Sequence, residues 1–484
     1  MQDILIRFGA EVAIKSRRTR LGFLARLEKN VEDALSSTGE SYELRGGWNR
    51  FIARVSSPRQ TEAIARVFGV SSLSPIDATL PAELDAIVAR GRELYETRVR
   101  GRRYAVRARR AGRHAFGSRD IEVELGRALN EHATVDLDDP EVVVHVEVRD
   151  EEAYLFADRV RASGGLPLGV EGSAVALLSG GYDSAVSSWL VQKRGVALDY
   201  VFCNLGGEAY ERAVVQVAKV LADDWSYGTR PRLHVLDFGP AVDELRAKAK
   251  PNYWQVVLKR MMYRAASAVA AERGAHALVT GEALGQVSSQ TLRNLRTLEP
   301  AASLPVFRPL IGFDKEEIIE RARRIGTAAL SEQVKEYCAI APGRPVTAAT
   351  VEAVEREDAK MDAAPLAAAI AERKVLDLRS LSAGDLVAPY LFADDVPAGA
   401  VVIDCRAEPQ YRAWHWPGAV RWDEWELLRA YPRFPKDPTY VLYCAHGIQS
   451  AYLAERMQRS GYEAYSFRGG TRELMKRADA VTTS

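Results

Sequence analysis

The 484-residue chain has no C-x-x-C pair: its four cysteines, Cys203, Cys338, Cys405 and Cys444, stand far apart. That spacing excludes a zinc ribbon and the ligand set of an iron–sulfur cluster, so any sulfur chemistry must use single thiols. Long apolar runs are also missing, and residues 1–10 do not read as a secretory leader. No membrane span is therefore expected, and the cytoplasm is the expected compartment. Nor is there an excess of one charge sign. A net charge of +1 leaves bulk electrostatics silent about a nucleic acid partner, so local charge has to decide.

What is present is a globular composition, 47% hydrophobic and 27% charged, in a chain too long for one core. Single domains usually run to about 100–200 residues, so three or four are expected. The pattern reads as a multidomain α/β and α+β chain. Residues 1–75 alternate strand and helix as an α+β unit of ferredoxin-like size, with the apolar stripe Leu21, Leu24, Leu27, Val31 and Leu35 marking its long helix. Residues 76–165 begin with a helix from Pro81 and then carry nine arginines and no acid between Arg98 and Arg119. So dense a run repels itself unless it meets an anion. Arg103, Arg107, Arg109, Arg110, Arg113 and Arg119 are candidate phosphate-backbone contacts, with a merely solvated basic face as the alternative. Gly164, Gly165 and Pro167 read as a linker.

Residues 166–392 alternate strand and helix in the manner of a doubly wound parallel sheet, followed by a helix-rich connector at 346–373. Residues 393–484 form a second, smaller α/β segment. In the larger one an apolar strand ends in Ser179-Gly180-Gly181-Tyr182-Asp183-Ser184 and passes at once into a helix. Two glycines let the backbone wrap a phosphate, and the helix N-terminus points free N–H groups at it. The loop is not G-x-x-x-x-G-K-[ST], since no lysine follows. It resembles the pyrophosphatase loop of the PP-loop ATP pyrophosphatases. On that reading Ser179, Gly180, Gly181 and Ser184 cradle pyrophosphate, and Asp183 holds magnesium or positions the phosphates. The polar stretch at 281–291 follows the next strand at the carboxyl edge of the same sheet, where ligands bind. Lys259, on the preceding helix, is either a phosphate contact or an ordinary surface lysine.

In the last segment Cys444 stands between a strand and a helix, in Tyr443-Cys444-Ala445-His446-Gly447, where loop N–H groups and the helix dipole favour a thiolate or persulfide. A cysteine phosphatase would need an arginine where Ser450 stands, so sulfur transfer fits better. Cys405 and Cys203 lie in apolar strands and read as core, and His446 as an electrostatic helper. Cys338, in Tyr337-Cys338-Ala339, is left open between an inert and a working thiol.

With Asp404-Cys405-Arg406 and Pro417-Gly418-Ala419, the loop cysteine makes this segment resemble a rhodanese domain. The basic module, the SGGYDS loop, GEALGQVSSQTL, EYCAIAP and the rhodanese-like loop, in this order, resemble the bacterial tRNA 4-thiouridine synthetases, the ThiI family. The resemblance spans essentially the whole chain. It implies a ferredoxin-like domain, a THUMP domain that turns the arginine run into a tRNA-binding surface, a PP-loop ATP pyrophosphatase domain and a rhodanese extension. It implies ATP and Mg2+ as cofactors, with no further metal site. It also implies 4-thiouridine formation at position 8 of tRNA: ATP adenylates the uridine, Cys444 delivers persulfide sulfur, and Cys338 resolves the exchange. Leu177, Leu178, Lys259, Gly281 and Gln290 match the family's ATP contacts, and Lys315 matches a lysine the family needs. The implied partners are tRNA, a cysteine desulfurase as persulfide donor, a sulfur-carrier protein of thiamine thiazole synthesis and a thiol reductant; a homodimer stays open. Tyr182 stands where the family usually has Phe, and Ala339-Ile340-Ala341-Pro342 replaces a more usual Gly-Val-Ile-Ser. Two rival readings are a pyrophosphatase acting on a small molecule and a non-catalytic tRNA-binding sulfur carrier.

Overall fold

The structure, a computed structural model, describes the chain except residues 48–49, 333, 335–343, 382–390, 407, 423, 445–447, 469 and 483–484. Two compact units form, Met1–Val170 with Lys193–Gly195, and Glu171–Gln192 with Val196–Ser484.

The first unit opens with β1 (Gln2–Phe8), α1 (Arg17–Ser36), β2 (Glu43–Arg45), β3 (Arg50–Val55), α2 (Pro58–Arg66) and β4 (Val70–Pro75). The Ser16 hydroxyl caps α1 by accepting from the Thr19 N–H at 3.4 Å. Leu24, Leu27, Val31 and Leu35 are buried as the periodicity requires, but Leu21 is exposed and Phe23 takes the inward position instead. The unit continues with β5 (Ala78–Pro81), α3 (Leu84–Val99), β6 (Arg103–Ala111), α4 (Ser118–Leu129), β7 (Thr134–Val135), β8 (Val142–Arg149), β9 (Glu152–Phe156) and β10 (Val160–Arg161). Pro81, expected to open a helix, ends strand β5 instead. That strand lies at the edge of the sheet β5-β9-β8-β6-β7, where a missing N–H costs no ladder bond. After β9 the chain returns to the first sheet, where β10 pairs antiparallel with β4 and gives the order β10-β4-β1-β3-β2.

The second unit begins with β11 (Ser173–Leu177), α5 (Tyr182–Gln192), β12 (Ala197–Asn204), α6 (Gly207–Trp225), β13 (Arg232–Asp237), α7 (Gly239–Lys248), α8 (Trp254–Arg273), β14 (Leu278–Val279), α9 (Leu292–Leu298), β15 (Val306–Phe307) and α10 (Lys315–Ile325). The sheet order is β15-β14-β11-β12-β13-β16, parallel from β15 to β13. β11 is therefore the switch point, flanked by β12 on one side and β14 on the other. The connector holds α11 (Val351–Asp358) and α12 (Ala364–Ala371), then ends in β16 (Lys374–Asp377), which joins β13 antiparallel. Helix α8 buries Leu258, Met261, Ala265 and Val269 in one core with Val201 and Leu236 of the sheet.

The remaining elements are β17 (Phe392–Ala393), β18 (Val401–Asp404), α13 (Glu408–Ala413), β19 (Val420–Arg421), α14 (Glu424–Ala430), β20 (Tyr440–Tyr443), α15 (Ile448–Arg459), β21 (Ala464–Phe467) and α16 (Gly470–Thr482). Their strands form an all-parallel sheet, β17-β21-β20-β18-β19.

Candidate nucleotide, sulfur and RNA sites

Because β11 is the switch point, the loop after it opens into a crevice at the carboxyl edge of the sheet. Gly180 has φ +79°, and a Cβ there would meet Val214 Cγ2 at 3.0 Å, so this turn needs glycine. Ser184, in the first turn of α5, ties the loop down. Its Oγ accepts from the Ser179 N–H at 3.2 Å and donates to the Gly181 carbonyl at 3.1 Å. The Tyr210 hydroxyl donates to the Ser179 carbonyl at 3.1 Å.

A cavity of about 140 Å³ sits here, lined by Leu177, Leu178, Ser179, Asp183, Ser184, Lys259, Gly281 and Gln290 among others. The structure thus brings together residues expected from separate stretches of sequence. Gly181 lies in the same turn. Gly281 packs against the start of α5 so closely that a Cβ would come within 2.6 Å of the Asp183 and Ser184 backbone. Asp183 is held from two sides, by Lys315 Nζ at 2.8 Å and by Gln286 Nε2 at 3.0 Å. The Lys315 ammonium also lies 5.5 Å above the Tyr182 ring. Cys203 is buried, as expected, yet it lines this cavity.

Glu282 escaped the sequence reading. Its carboxylate receives Lys259 Nζ at 2.9 Å, Tyr263 Oη at 2.5 Å, Thr280 Oγ1 at 3.0 Å and Arg308 Nε at 2.9 Å. Burial alone would raise Glu282, but Lys259, Tyr263 and Arg308 hold it down at about 2. Lys259 is thus no loose surface lysine: a buried anion aims it along the cavity wall. The one available hint was an acid directly after a glycine at the end of an apolar strand.

At the sulfur end, Cys444 is buried at the carboxyl end of β20. The Ser450 hydroxyl reaches its Sγ at 3.4 Å and contacts Ser466 Oγ at 2.8 Å. Thr471 anchors the Cys444 carbonyl through its N–H at 3.0 Å and its hydroxyl at 3.1 Å. Asp404 and Arg406 form a buried pair at 2.6 Å, with Tyr443 Oη on Asp404 at 2.7 Å. Cys405 is buried in the core. The loop residues after Cys444, His446 among them, and Cys338 lie outside the described residues.

The six arginines of the basic run divide. Arg103 is bound to Asp136 at 3.1 Å and Asp139 at 2.9 Å, acids that lie later in the chain and neutralise it. Arg107 donates to the Leu137 carbonyl, and Arg110 donates to the Gly112 carbonyl at 2.8 Å and lies 3.2 Å from His114 Nδ1. Arg109, Arg113 and Arg119 are exposed. Arg107 and Arg109 line a cavity of about 200 Å³ with Arg7, Arg159, His145 and Glu147. Arg7 is 5% exposed and bonds Glu147 at 2.9 Å and Ser74 at 3.0 Å, while its Nη2 has no partner among the described residues. Burial, with Arg7 and Arg159 nearby, pushes His145 down to about 4, so it stays neutral at pH 7. Arg7 was legible only as a charge directly after the apolar run at 4–6.

A PP-loop nucleotide fold carrying a ferredoxin-like unit, a basic α/β unit and a cysteine-bearing parallel sheet defines a nucleotide-dependent sulfur-handling class. Residues 169–363 match the family described as thiamine biosynthesis protein (ThiI), 3–74 the ThiI ferredoxin-like domain, 81–158 the THUMP domain and 390–477 the rhodanese-like domain. The chain is 37% identical over 473 residues to a tRNA sulfurtransferase of Pyrobaculum aerophilum, covering 97% of each. It is 33% identical to that of Escherichia coli O157:H7, covering 95% of this chain and 98% of the other. Among solved structures, a 4-thiouridine synthetase in complex with RNA and bound ATP is 31% identical, with TM-score 0.68, over 78% of this chain and 99% of that one. PH1313 from Pyrococcus horikoshii aligns with TM-score 0.53 at 25% identity, over 67% of this chain and 100% of that one. The chain belongs to the ThiI family of tRNA sulfurtransferases. No helix among the described residues is long and apolar enough to cross a membrane.

Proposed function

We propose that this chain uses ATP to convert the uridine at position 8 of tRNA to 4-thiouridine, taking sulfur from a persulfide on Cys444. The observation that carries the reading is the glycine-lined crevice at the switch point, with Asp183 and Lys315 paired at 2.8 Å over the N-terminus of α5. Backbone N–H groups at 180–184 receive the phosphates, Lys259 adds charge from the side, and Leu177, Leu178, Gly281 and Gln290 shape the wall around the nucleotide.

Of the two carboxylates that line the cavity, Glu282 is taken up by Lys259, Tyr263, Thr280 and Arg308; the more exposed Asp183 suits a magnesium ion carried in by a triphosphate, because magnesium keeps several waters and needs few protein ligands. Magnesium when bound neutralises phosphate charge. Lys315, which holds Asp183 before nucleotide arrives, is placed to pass to the reacting phosphate oxygen. The uridine O4 attacks the α-phosphorus and pyrophosphate leaves. The terminal persulfide sulfur attacks C4 and AMP leaves, giving a C4–S–S–Cys444 adduct. The Cys338 thiolate attacks Cys444 Sγ, releasing the thiolated uridine and forming a Cys338–Cys444 disulfide, which a two-electron dithiol reductant reopens. A cysteine desulfurase loads Cys444. The exposed arginines 109, 113 and 119 support tRNA binding by the basic module.

The test is nucleoside mass spectrometry of unmodified tRNA incubated with the protein, magnesium-ATP, cysteine, a desulfurase and a reductant. 4-Thiouridine is expected with the intact chain, and a loss of at least about 100-fold with Asp183→Ala or Cys444→Ala. ATP cleavage without thiolated uridine would overturn the reading in favour of a small-molecule ligase. The family's thiamine label supports a second outlet for the same Cys444 sulfur, toward a thiazole-forming carrier protein. Sulfur transfer from loaded Cys444 to an acyl-adenylated carrier, with AMP leaving and the dithiol reductant freeing Cys444 from the acyl disulfide, tests it.

A further inference from the structure

Helix α6 flanks the nucleotide cavity, yet its N-cap is Gly206, which has no side chain to offer. The first-turn N–H groups of such a helix need an acceptor. Here it comes from the rhodanese-like segment: Glu455, in the last turns of α15, accepts the Glu208 N–H on Oε1 at 3.2 Å and the Ala209 N–H on Oε2 at 3.1 Å. Those are the two N–H groups that an N-cap side chain would take. The fit is close on both sides. Gly207 has φ +70°, and a Cβ there would stand 3.2 Å from Glu455 Oε2. Arg459, one turn on, holds Glu455 at 2.7 Å and lies 3.6 Å from Glu208. Glu455 is 4% exposed, and its negative charge sits on the positive end of α6.

The capped turn leads directly into the nucleotide site. Tyr210, next after Ala209, is 2% exposed, packs edge-on against Phe202 at 4.8 Å and donates to the Ser179 carbonyl in the phosphate loop. Four residues further along α6, Val214 walls in Gly180. Around Glu455 the contact is polar: a cavity of about 430 Å³ lies between α15 and the carboxyl ends of β12 and β13, with Asn204, Asp237 and Arg456 on its walls. A charged seam of this kind separates more easily than an apolar one.

We propose that Glu455 is a positioning residue for the nucleotide site, so that seating of the sulfur-carrying segment on α6 and binding of nucleotide favour each other. Seating caps the first turn of α6, which fixes Tyr210 and through it the Ser179 carbonyl. Nucleotide, by ordering the same loop, strengthens the cap in return, as linkage requires. The inference rests on the reading of the loop as an ATP site.

The test uses the full chain with magnesium-ATP. Affinity is measured by calorimetry, and hydrogen exchange is followed in the peptide containing Glu208 and Ala209. In the unaltered protein ATP should slow exchange of these amides. Glu455→Ala should weaken ATP binding roughly fivefold and abolish the ATP-dependent slowing, and Glu455→Gln, which keeps an acceptor oxygen, should restore part of both. Tyr210→Phe should remove the response to ATP. Thermal unfolding of each variant separates these effects from a damaged fold. If ATP binds Glu455→Ala as tightly as the unaltered chain, or slows exchange equally in both, the proposal fails while the ATP reading stands. If the unaltered chain binds no ATP, both fall.

Discussion

At the scale of single residues, the nucleotide site depends on places where no side chain fits. Gly281 lies against the Asp183 and Ser184 backbone with room for hydrogen only, and backbone atoms at a helix start cannot yield as a flexible side chain can. Gly281→Ala should therefore cost about 1–3 kcal/mol of stability and at least about tenfold in ATP affinity, read by thermal unfolding and calorimetry. Glu282 works by charge rather than by size. The Asp183–Lys315 pair is different again, since its members are 25% and 45% exposed and can exchange partners when phosphate arrives. SGGYDS was readable because glycine, serine and aspartate in one turn serve one local purpose. Glu282 was not, because its partners Lys259, Tyr263 and Arg308 approach from other elements.

At the scale of elements, strand β6 carries the middle of the basic run, and its neighbours decide which charges are free to meet an anion. The acids around β7 take Arg103, while Arg109 and Arg113 keep their faces to solvent. Arg109→Ala and Arg113→Ala should each weaken tRNA binding and lower the slope of log affinity against log salt by about 1, whereas Arg103→Ala should change neither. Fluorescence anisotropy between low and moderate salt measures this, and an equal effect from Arg103→Ala would overturn the division. Counting arginines could not separate the six, because Asp136 and Asp139 lie more than thirty residues downstream of Arg103. For the same reason the sequence predicts no strand at β10 or β16: two- and four-residue strands carry almost no periodicity, and only their partners make them strands.

At the scale of the whole molecule, the two units should respond to acid in different windows. His145 in the first unit sits at about 4 when folded, below its ordinary 6.5, so the unfolded chain binds more protons between these values. Its contribution is present above about pH 6.5 and is lost as pH falls toward 4. Glu282 in the second unit sits at about 2 against an ordinary 4.5, so its contribution is present above pH 4.5 and fades as pH falls toward 2. Hydrogen exchange across pH 7 to 3 should show β8 losing protection before β14, and His145→Gln should flatten the first loss. Coincident loss in both units, unchanged by that substitution, would contradict the assignment.

The sequence alone determined the order of the modules, the phosphate loop, the thiol at the end of a strand and the location of the basic run, because each is written in contiguous residues obeying local rules of turn, cap and periodicity. Only the tertiary structure decided that Asp183 is clasped by Lys315 and Gln286, that Lys259 answers to a buried Glu282, that Arg7 joins the basic cavity and that Glu455 caps a helix over two hundred residues away. Each of these is an electrostatic or hydrogen-bonding match between distant segments, and its strength depends on burial, which does not exist until the chain has folded.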